Sequence, residues 1–244
     1  MRNATAHEIT TASSSNDFGL ETLLEGYRFY VAEDAETFAR ALDVRREVYV
    51  ENFGYDVPVP DEYDHRSWLL VAEHVESGEI VGTMRLTPRA FGPVETEEYF
   101  ALPGDLDRED AIEISRFAIL AAHRKTRTFL PVVSVGLFKL CYELAMLVGA
   151  ERQIVCTKAE KLWSYMSMGF HSTGIKKAYE KLNGTEHELL FHDFSGIAQG
   201  SMGSNPFADL CCSDNLDEVI VPTEIPPLGL VDEPAPEYRI AVGA

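Results

Sequence analysis

The most constraining stretch of the chain is residues 111–120, Ala-Ile-Glu-Ile-Ser-Arg-Phe-Ala-Ile-Leu. It reads as a strand: Ile112, Ile114 and Phe117 supply the apolar positions, and Glu113, Ser115 and Arg116 interrupt them. A carboxylate and a guanidinium inside a core-like strand are costly to bury unless they are paired or put to use. Strict alternation places Glu113 and Ser115 on one face and Arg116 on the other. A bulge would bring Glu113 and Arg116 to the same side, and bulges often sit beside active sites. The stretch is therefore either an ion pair at a sheet edge or the heart of a site.

The elements around it alternate between the two periodicities. Tyr27 to Ala32 reads as a first strand, and Asp34 caps a helix over Ala35 to about Val50, with Phe38, Leu42, Val48 and Tyr49 as its apolar stripe. Arg45 and Arg46 lie on this helix. A loop from Glu51 to Arg66 carries Phe53-Gly54-Tyr55 and the acidic run Asp61-Glu62-Tyr63-Asp64. Trp68 to Glu73 and Ile80 to Thr87, the latter with Arg85, form a hairpin about the turn Glu76-Ser77-Gly78-Glu79. After the central strand comes a basic segment with His123, Arg124, Lys125 and Arg127. A helix from about Pro131 to Val148 is apolar nearly all round and should be buried. Arg152 to Thr157 is a strand, Ala159 to Met168 a short helix, and Phe170 to Tyr179 and Glu188 to Phe194 a last pair of strands. The order β-α-β-β-β-α-β-α-β-β indicates a mixed α/β sheet.

With 244 residues, 45% of them hydrophobic, the chain suits one sizeable domain, expected over residues 20–196. Residues 1–19 are polar and read as a disordered leader without the apolar core of a signal peptide. Residues 197–244 are rich in Gly, Ser, Pro and acidic groups, and read as an extended tail. Leu228, Leu230 and Val231 are the residues by which it would pack on the domain or on a second subunit of a homo-oligomer. No apolar run reaches the ~18 residues of a membrane span. Cys141, Cys156, Cys211 and Cys212 have no C-x-x-C spacing, which gives no disulfide framework and no metal site and makes the cytoplasm the default location.

The net charge of −19 argues against nucleic acid as a partner. Its distribution says more. From Ile114 to Leu182 there are 11 Lys and Arg against 4 Asp and Glu, so this stretch is +7 and the remainder carries −26. Such a basic middle is either a solvated face or a docking surface for nucleotide phosphates or an acidic carrier protein.

Four local motifs carry a family resemblance. The run Arg45, Tyr49 and Phe53-Gly54-Tyr55 resembles an Arg…Phe…Leu-Gly-Trp helix and loop. Asp61-Glu62-Tyr63-Asp64 is similar to an acidic Asp-x-x-Asp loop, and Val81 to Pro88 to a Val-Gly-x-x-Arg-Leu-x-Pro strand. Glu113-Ile114-Ser115-Arg116-Phe117 resembles Glu-Leu-Ser-Arg-Phe. In this order over Tyr27 to Phe194 they resemble the autoinducer (acyl-homoserine-lactone) synthases of the GNAT acyltransferase superfamily, and their relatives the long-chain N-acyl amino acid synthases and exosortase-associated acyltransferases. Tyr55 stands where autoinducer synthases have tryptophan, the gap from Tyr55 to Asp61 is short for them, and His123 to Arg127 replaces the usual GNAT Gly-rich pyrophosphate loop. These departures, with the long tail, favour the N-acyl amino acid synthases and an acyl carrier protein, rather than acetyl-CoA, as donor.

The resemblance implies a three-layer GNAT-like fold, a central mixed and mostly antiparallel sheet flanked by helices. It implies direct attack of an amino acid's α-amino group on a fatty acyl thioester of acyl carrier protein or CoA, with no tightly bound cofactor. The alternatives are an acyl-homoserine-lactone synthase using S-adenosylmethionine and a non-catalytic acyl-carrier or lipid-binding module. Glu113 is the expected base, with Arg116 and Ser115 beside it, and Ser115 has no His at triad spacing. Arg45, Tyr49, Phe53, Tyr55, Asp61, Asp64, Trp68, Arg85 and Phe117 are expected around the substrates. Arg124, Lys125, Arg127, Lys158 and Lys161 are expected at the carrier or phosphopantetheine. Val132, Val135, Leu137, Phe138, Trp163 and Met166 are the candidate lining of an acyl pocket, with plain core as the other reading of the same stripe.

Overall fold

The computed structural model describes residues 23–124, 130–194 and 216–229. The expected leader, Lys125 and Arg127, and Leu230 and Val231 all lie outside these residues. Among these residues seven strands form one sheet, β1 (Tyr27–Val31), β2 (Trp68–His74), β3 (Glu79–Pro88), β4 (Ala111–Ile119), β5 (Arg152–Lys158), β6 (His171–Tyr179) and β7 (Thr185–Asp193). The helices are α1 (Ala35–Arg45), α2 (Val132–Leu147) and α3 (Ala159–Ser167). The spatial order is β1-β2-β3-β4-β5-β7-β6. Every neighbouring pair is antiparallel except β4 and β5. This is the mixed, mostly antiparallel GNAT-like sheet, with the expected element order. No helix among the described residues is long and apolar enough to cross a membrane.

Two local features of this frame shape everything that follows. The parallel ladder of β4 and β5 runs from Ala111↔Arg152 only to Ile114↔Val155. Both strands continue beyond it, β4 to Ile119 and β5 to Lys158, so they part company and leave a slit in the sheet. The second feature is a register shift between β3 and β4. Thr83 faces Ala118 and Arg85 faces Ser115, so one residue of β3 spans two of β4. Arg116, at φ +51°, absorbs the extra length.

Helix α1 starts where Asp34 accepts the Thr37 N–H at 2.8 Å. The spacing predicts an α-helix to Val50, but the α-helix ends at Arg45 and continues as a π-helical stretch, Arg46–Asn52. The wider turns of that stretch keep Val48 in the core while Tyr49 reaches β4. Helix α2 packs on the face of the sheet that carries Phe29 and Gly82: a Cβ on Gly82 would stand 2.6 Å from Val133. The main core joins α1, α2 and β1 to β4. A smaller cluster of Phe100, Leu106, Ala111, Ile154, Tyr179 and Leu189 lies apart from it.

Residues 216–229 return to the body. Phe29 N–H donates to the Glu218 carbonyl at 2.7 Å and Ile220 N–H to the Phe29 carbonyl at 2.8 Å, which covers the otherwise open edge of β1. The Trp68 indole N–H donates to the Pro226 carbonyl at 2.8 Å, and Gly229 N–H to the Ser67 carbonyl at 3.1 Å. Gly229, at φ +52°, lies so near the His65 carbonyl that a Cβ would come within 2.2 Å of its oxygen. Leu216, Val219 and Leu228 are buried.

Gly136 tests the packing of α2. A Cβ there would stand 2.2 Å from the Phe29 ring, which is fully buried and has nowhere to go. Alanine should gain about 1 kcal/mol in helix propensity. Overpacking should outweigh that, so Gly136→Ala is expected to lower stability by about 1–3 kcal/mol in a urea melt.

Candidate active site

The bulge at Arg116 assembles a buried ion cluster. Arg116 Nε donates to Asp61 Oδ2 at 3.0 Å, and its Nη2 lies 2.6 Å from Glu95 Oε1. Arg85, fully buried on β3, contacts Asp61 and Glu95 through its two Nη atoms, and its Nε donates to Ser115 Oγ at 3.0 Å. Arg45, from the end of α1, pairs with Asp64 at 2.5 Å and with Asp61 at 3.4 Å. Three guanidinium groups thus face three carboxylates, and all six side chains are 8% exposed or less. Burial alone would raise the Asp61 carboxyl, but Arg85, Arg116 and Arg45 together hold it below the usual carboxylate range.

Glu113 stands next to this neutral cluster as an additional acid. Its Oε1 accepts the Thr96 N–H at 2.7 Å, while Oε2 is buried with no hydrogen-bond partner among the described residues. Burial first, and then the Glu95 carboxylate, push its pKa up to about 6. A half-satisfied carboxyl tuned to this value suits proton transfer at neutral pH.

Glu113 opens into a cavity of about 690 Å³ that fills the slit between β4 and β5. Two sets of residues line it. Ile114, Ser134, Phe138, Val155 and Tyr165 form the wall toward α2 and α3, and Thr96, Glu113, Cys156, Tyr179 and His187 form the other. Arg124, Lys158 and Lys161 also reach the cavity. Arg124 Nε donates to the Ile119 carbonyl at 2.7 Å, and its guanidinium lies 5.5 Å from the centre of the Phe53 ring. Phe53 stacks on Tyr55 at 5.4 Å, and Tyr55 OH accepts from Lys158.

Of the residues singled out by sequence, Glu113, Ser115, Arg116, Phe117, Tyr49, Phe53, Tyr55, Arg124, Lys158, Lys161 and Phe138 come together around this cavity. Tyr49 OH donates to the Phe117 carbonyl at 3.1 Å. Others are placed elsewhere. Arg45, Arg85, Asp61 and Asp64 do not line the cavity; they neutralise one another behind it. Trp68 is core, turned to the returning tail. Val132, Val135 and Leu137 are buried core and not cavity lining, because α2 is apolar on all sides and only the flank with Ser134 and Phe138 meets the slit. Trp163 and Met166 are also displaced from the expected pocket, 70% and 49% exposed on the far side of α3 from Lys161 and Ser164.

Glu95, Thr96, Cys156, Tyr179 and His187 line the cavity without having been singled out by sequence as site residues. Glu95 and Thr96 belong to an acidic run that resembles a solvated loop. Burial pushes the Cys156 thiol up to about 12, far from a thiolate at neutral pH.

Asp61 is the centre of the ion cluster, in contact with all three arginines. Its lowered folded pKa means that it stabilises the fold above the ordinary carboxylate range and loses that contribution as pH falls through the lower value. Asp61→Asn keeps the shape but leaves a buried positive charge. It should cost about 3–5 kcal/mol by urea unfolding at pH 7.

Comparisons with known proteins bear on the fold and the family. A family profile described as N-acyl amino acid synthase FeeM matches residues 40–193. The structure of FeeM, an N-acyl amino acid synthase from uncultured soil microbes, superposes with a TM-score of 0.60 at 14% identity, over 69% of this chain and 90% of that one. BjaI, a CoA-dependent acyl-homoserine lactone synthase solved with SAM and isopentyl-CoA, gives 0.59 at 17% identity, over 82% and 96%. An acyl-CoA N-acyltransferase from Pseudomonas aeruginosa gives 0.51 at 15% identity, over 68% and 99%. A search of curated proteins found no match. The fold is that of the GNAT-type acyltransferases, and by the length of its profile match the chain is an acyltransferase that belongs to the FeeM N-acyl amino acid synthase family.

Proposed function

We propose that the protein moves a medium- or long-chain fatty acyl group from the thioester of an acyl carrier protein to the α-amino group of an amino acid. The observation that carries this reading is Glu113 Oε2, a buried carboxylate oxygen without a partner at the point where the two walls of the cavity meet. An α-ammonium group fits it by charge. The ammonium first gives one proton to Glu113, the neutral amine nitrogen attacks the thioester carbon, and its second proton leaves with the departing sulfur or to water. The tetrahedral intermediate then collapses, the C–S bond breaks, and the carrier leaves as its thiol or thiolate.

The developing oxyanion needs hydrogen-bond donors already in place. Beyond Ile114 the edge of β4 that faces β5 pairs with no described strand. The Phe117 carbonyl on that stretch is taken by Tyr49, and the neighbouring backbone N–H groups at the bulge are the donors we assign to the oxyanion. Arg116 uses Nε and Nη2 in the ion cluster, which leaves Nη1 to meet the acceptor's carboxylate. The acyl chain would follow the apolar wall past Ile114 and Phe138 toward Tyr165.

The basic mouth supports an acidic carrier as donor. Lys158 and Lys161 flank the start of α3, whose first turn has no side-chain cap, and Arg124 joins them through the row Phe53, Tyr55 and Lys158. In a protein of net charge −19 this is where an acidic partner would be attracted. Such a thioester donor places the reaction in the cytoplasm.

Lipid mass spectrometry of expressing cells tests the reading. Wild type should yield an N-acyl amino acid that Glu113→Gln does not. An acyl-homoserine lactone in its place would move the assignment to the autoinducer synthases, and equal product from both proteins would remove Glu113 as base. Because the charged base exists only above its pKa, kcat/KM should rise about tenfold per pH unit below about 6 and level off above it. Lys161→Glu should raise KM for the carrier thioester, and the effect should shrink as salt is added.

A further inference from the structure

Among the described residues, Arg116, Arg124, Lys158 and Lys161 are the Lys and Arg side chains that line the cavity. Arg116 is bound to Asp61 and Glu95, and Lys158 donates to the Tyr55 hydroxyl. Lys161 is exposed and met by water. Arg124 differs from all three. Its Nε donates to the Ile119 carbonyl at 2.7 Å and its guanidinium lies 5.5 Å from the centre of the Phe53 ring. Its Nη2 is buried, with no hydrogen-bond partner among the described residues. A guanidinium nitrogen only donates, and a donor shut away from water with nothing to meet is costly until an acceptor arrives.

The backbone of β4 shows where this donor stands relative to the reacting centre. Leu120 N–H donates to the Val81 carbonyl and Ala118 pairs with Thr83, so both turn their backbone groups toward β3. Phe117 and Ile119 alternate with them and turn theirs toward the slit. Both of those carbonyls are taken, that of Phe117 by the Tyr49 hydroxyl and that of Ile119 by Arg124. Ile119 lies two residues, about 7 Å, beyond Phe117 along the strand. Because β4 and β5 run parallel, the Ile119 end of β4 and the Lys158 end of β5 point the same way, toward the basic mouth. Arg124 is therefore on the mouth side of the bulge at Arg116. A thioester that enters by the mouth and sets its carbonyl at the bulge brings its sulfur to the Arg124 side.

We infer that Arg124 is the catalytic residue for the leaving group: its Nη2 donates a hydrogen bond to the thioester sulfur as the C–S bond breaks. This rests on the thioester donor proposed above. When the tetrahedral intermediate collapses, the C–S electron pair goes to sulfur and the carbonyl re-forms. The proton still on nitrogen passes to water or to the departing sulfur, and Arg124 keeps all of its own. A thioester sulfur is a weak acceptor, whereas the sulfur of the breaking bond carries negative charge. A donor fixed at that point therefore favours the transition state over the bound substrate. The Ile119 carbonyl and the Phe53 ring hold the guanidinium there in advance.

The test uses the purified full chain, a mixture of amino acids as acceptor, and one fatty acyl group carried on either of two small thiols, pantetheine or thiophenol. Carrier docking then plays no part. Thiophenol is much the stronger acid and departs as thiolate without help. Arg124→Met should lower kcat about 100-fold with the pantetheine thioester and less than about threefold with the phenyl thioester. Arg124→Lys, which keeps a cation, should restore part of the loss. Equal loss with both thioesters, or none with the pantetheine thioester, overturns the inference. Wild type gives a second measurement that stands even if Arg124→Met fails to fold. Its kcat should differ by less than about tenfold between the two thioesters, and a larger advantage for the phenyl thioester overturns the inference. Transfer without these differences overturns only the role of Arg124, whereas no transfer from any thioester overturns the donor reading and this inference together.

Discussion

Asp61 touches three arginines at once, and the arrangement of the site depends on that contact. Arg45 comes from α1, Arg85 from the middle of β3 and Arg116 from the bulge of β4. Buried clusters of this kind are poor sources of net stability, because the cost of removing charges from water offsets most of their attraction. What they supply is geometry. A non-glycine residue at φ +51° costs on the order of 1–3 kcal/mol and persists only where its surroundings hold it. Arg116 is held from two sides, by Asp61 and by Glu95, and the bulge that parts β4 from its regular ladder is held with it.

The same cluster sets the electrostatics of its neighbour. Three cations and three anions cancel, so Glu113 meets no net positive field to draw it toward full ionisation. Burial and Glu95 then decide its proton affinity. The sheet itself acts as a partition. Its α2 side offers apolar wall and its other side offers hydroxyls, a thiol, an imidazole and the acid, with the gap between β4 and β5 joining the two. A fold whose sheet splits at one point can thus keep apolar and polar groups on separate sides and let them meet only at the split.

Much of this was legible in the sequence, and the reasons are specific. Period-two alternation gave the strands, and a glutamate and an arginine together inside β4 already demanded a bulge or a charge partner. Asp61 and Asp64 stood out because their acidic run lay between aromatic residues and a core strand. Glu95 did not, since Val-Glu-Thr-Glu-Glu has the composition of a solvated turn and its burial depends on Arg85 and Arg116 arriving from other strands. Helix α2 is apolar on every side, so periodicity carried no information about which flank met the cavity. The role of Trp68 was hidden by distance along the chain: its partner, Pro226, lies 158 residues away. His187 was hidden because its place in the cavity follows from the register of β7 on β5, which no local pattern reveals.

The return of residues 216–229 to β1 has a consequence for the order in which the molecule is completed. Among the described strands β1 is made first, and the backbone that closes its edge follows all of them in the chain. During synthesis the Phe29 N–H and carbonyl have no partner on that side, and an open edge of this kind is a template for wrong pairings. The segment that closes it also latches onto Ser67 and Trp68, directly after the turn that holds Asp64. The acidic loop is therefore seated against its final support only after all seven described strands have been made.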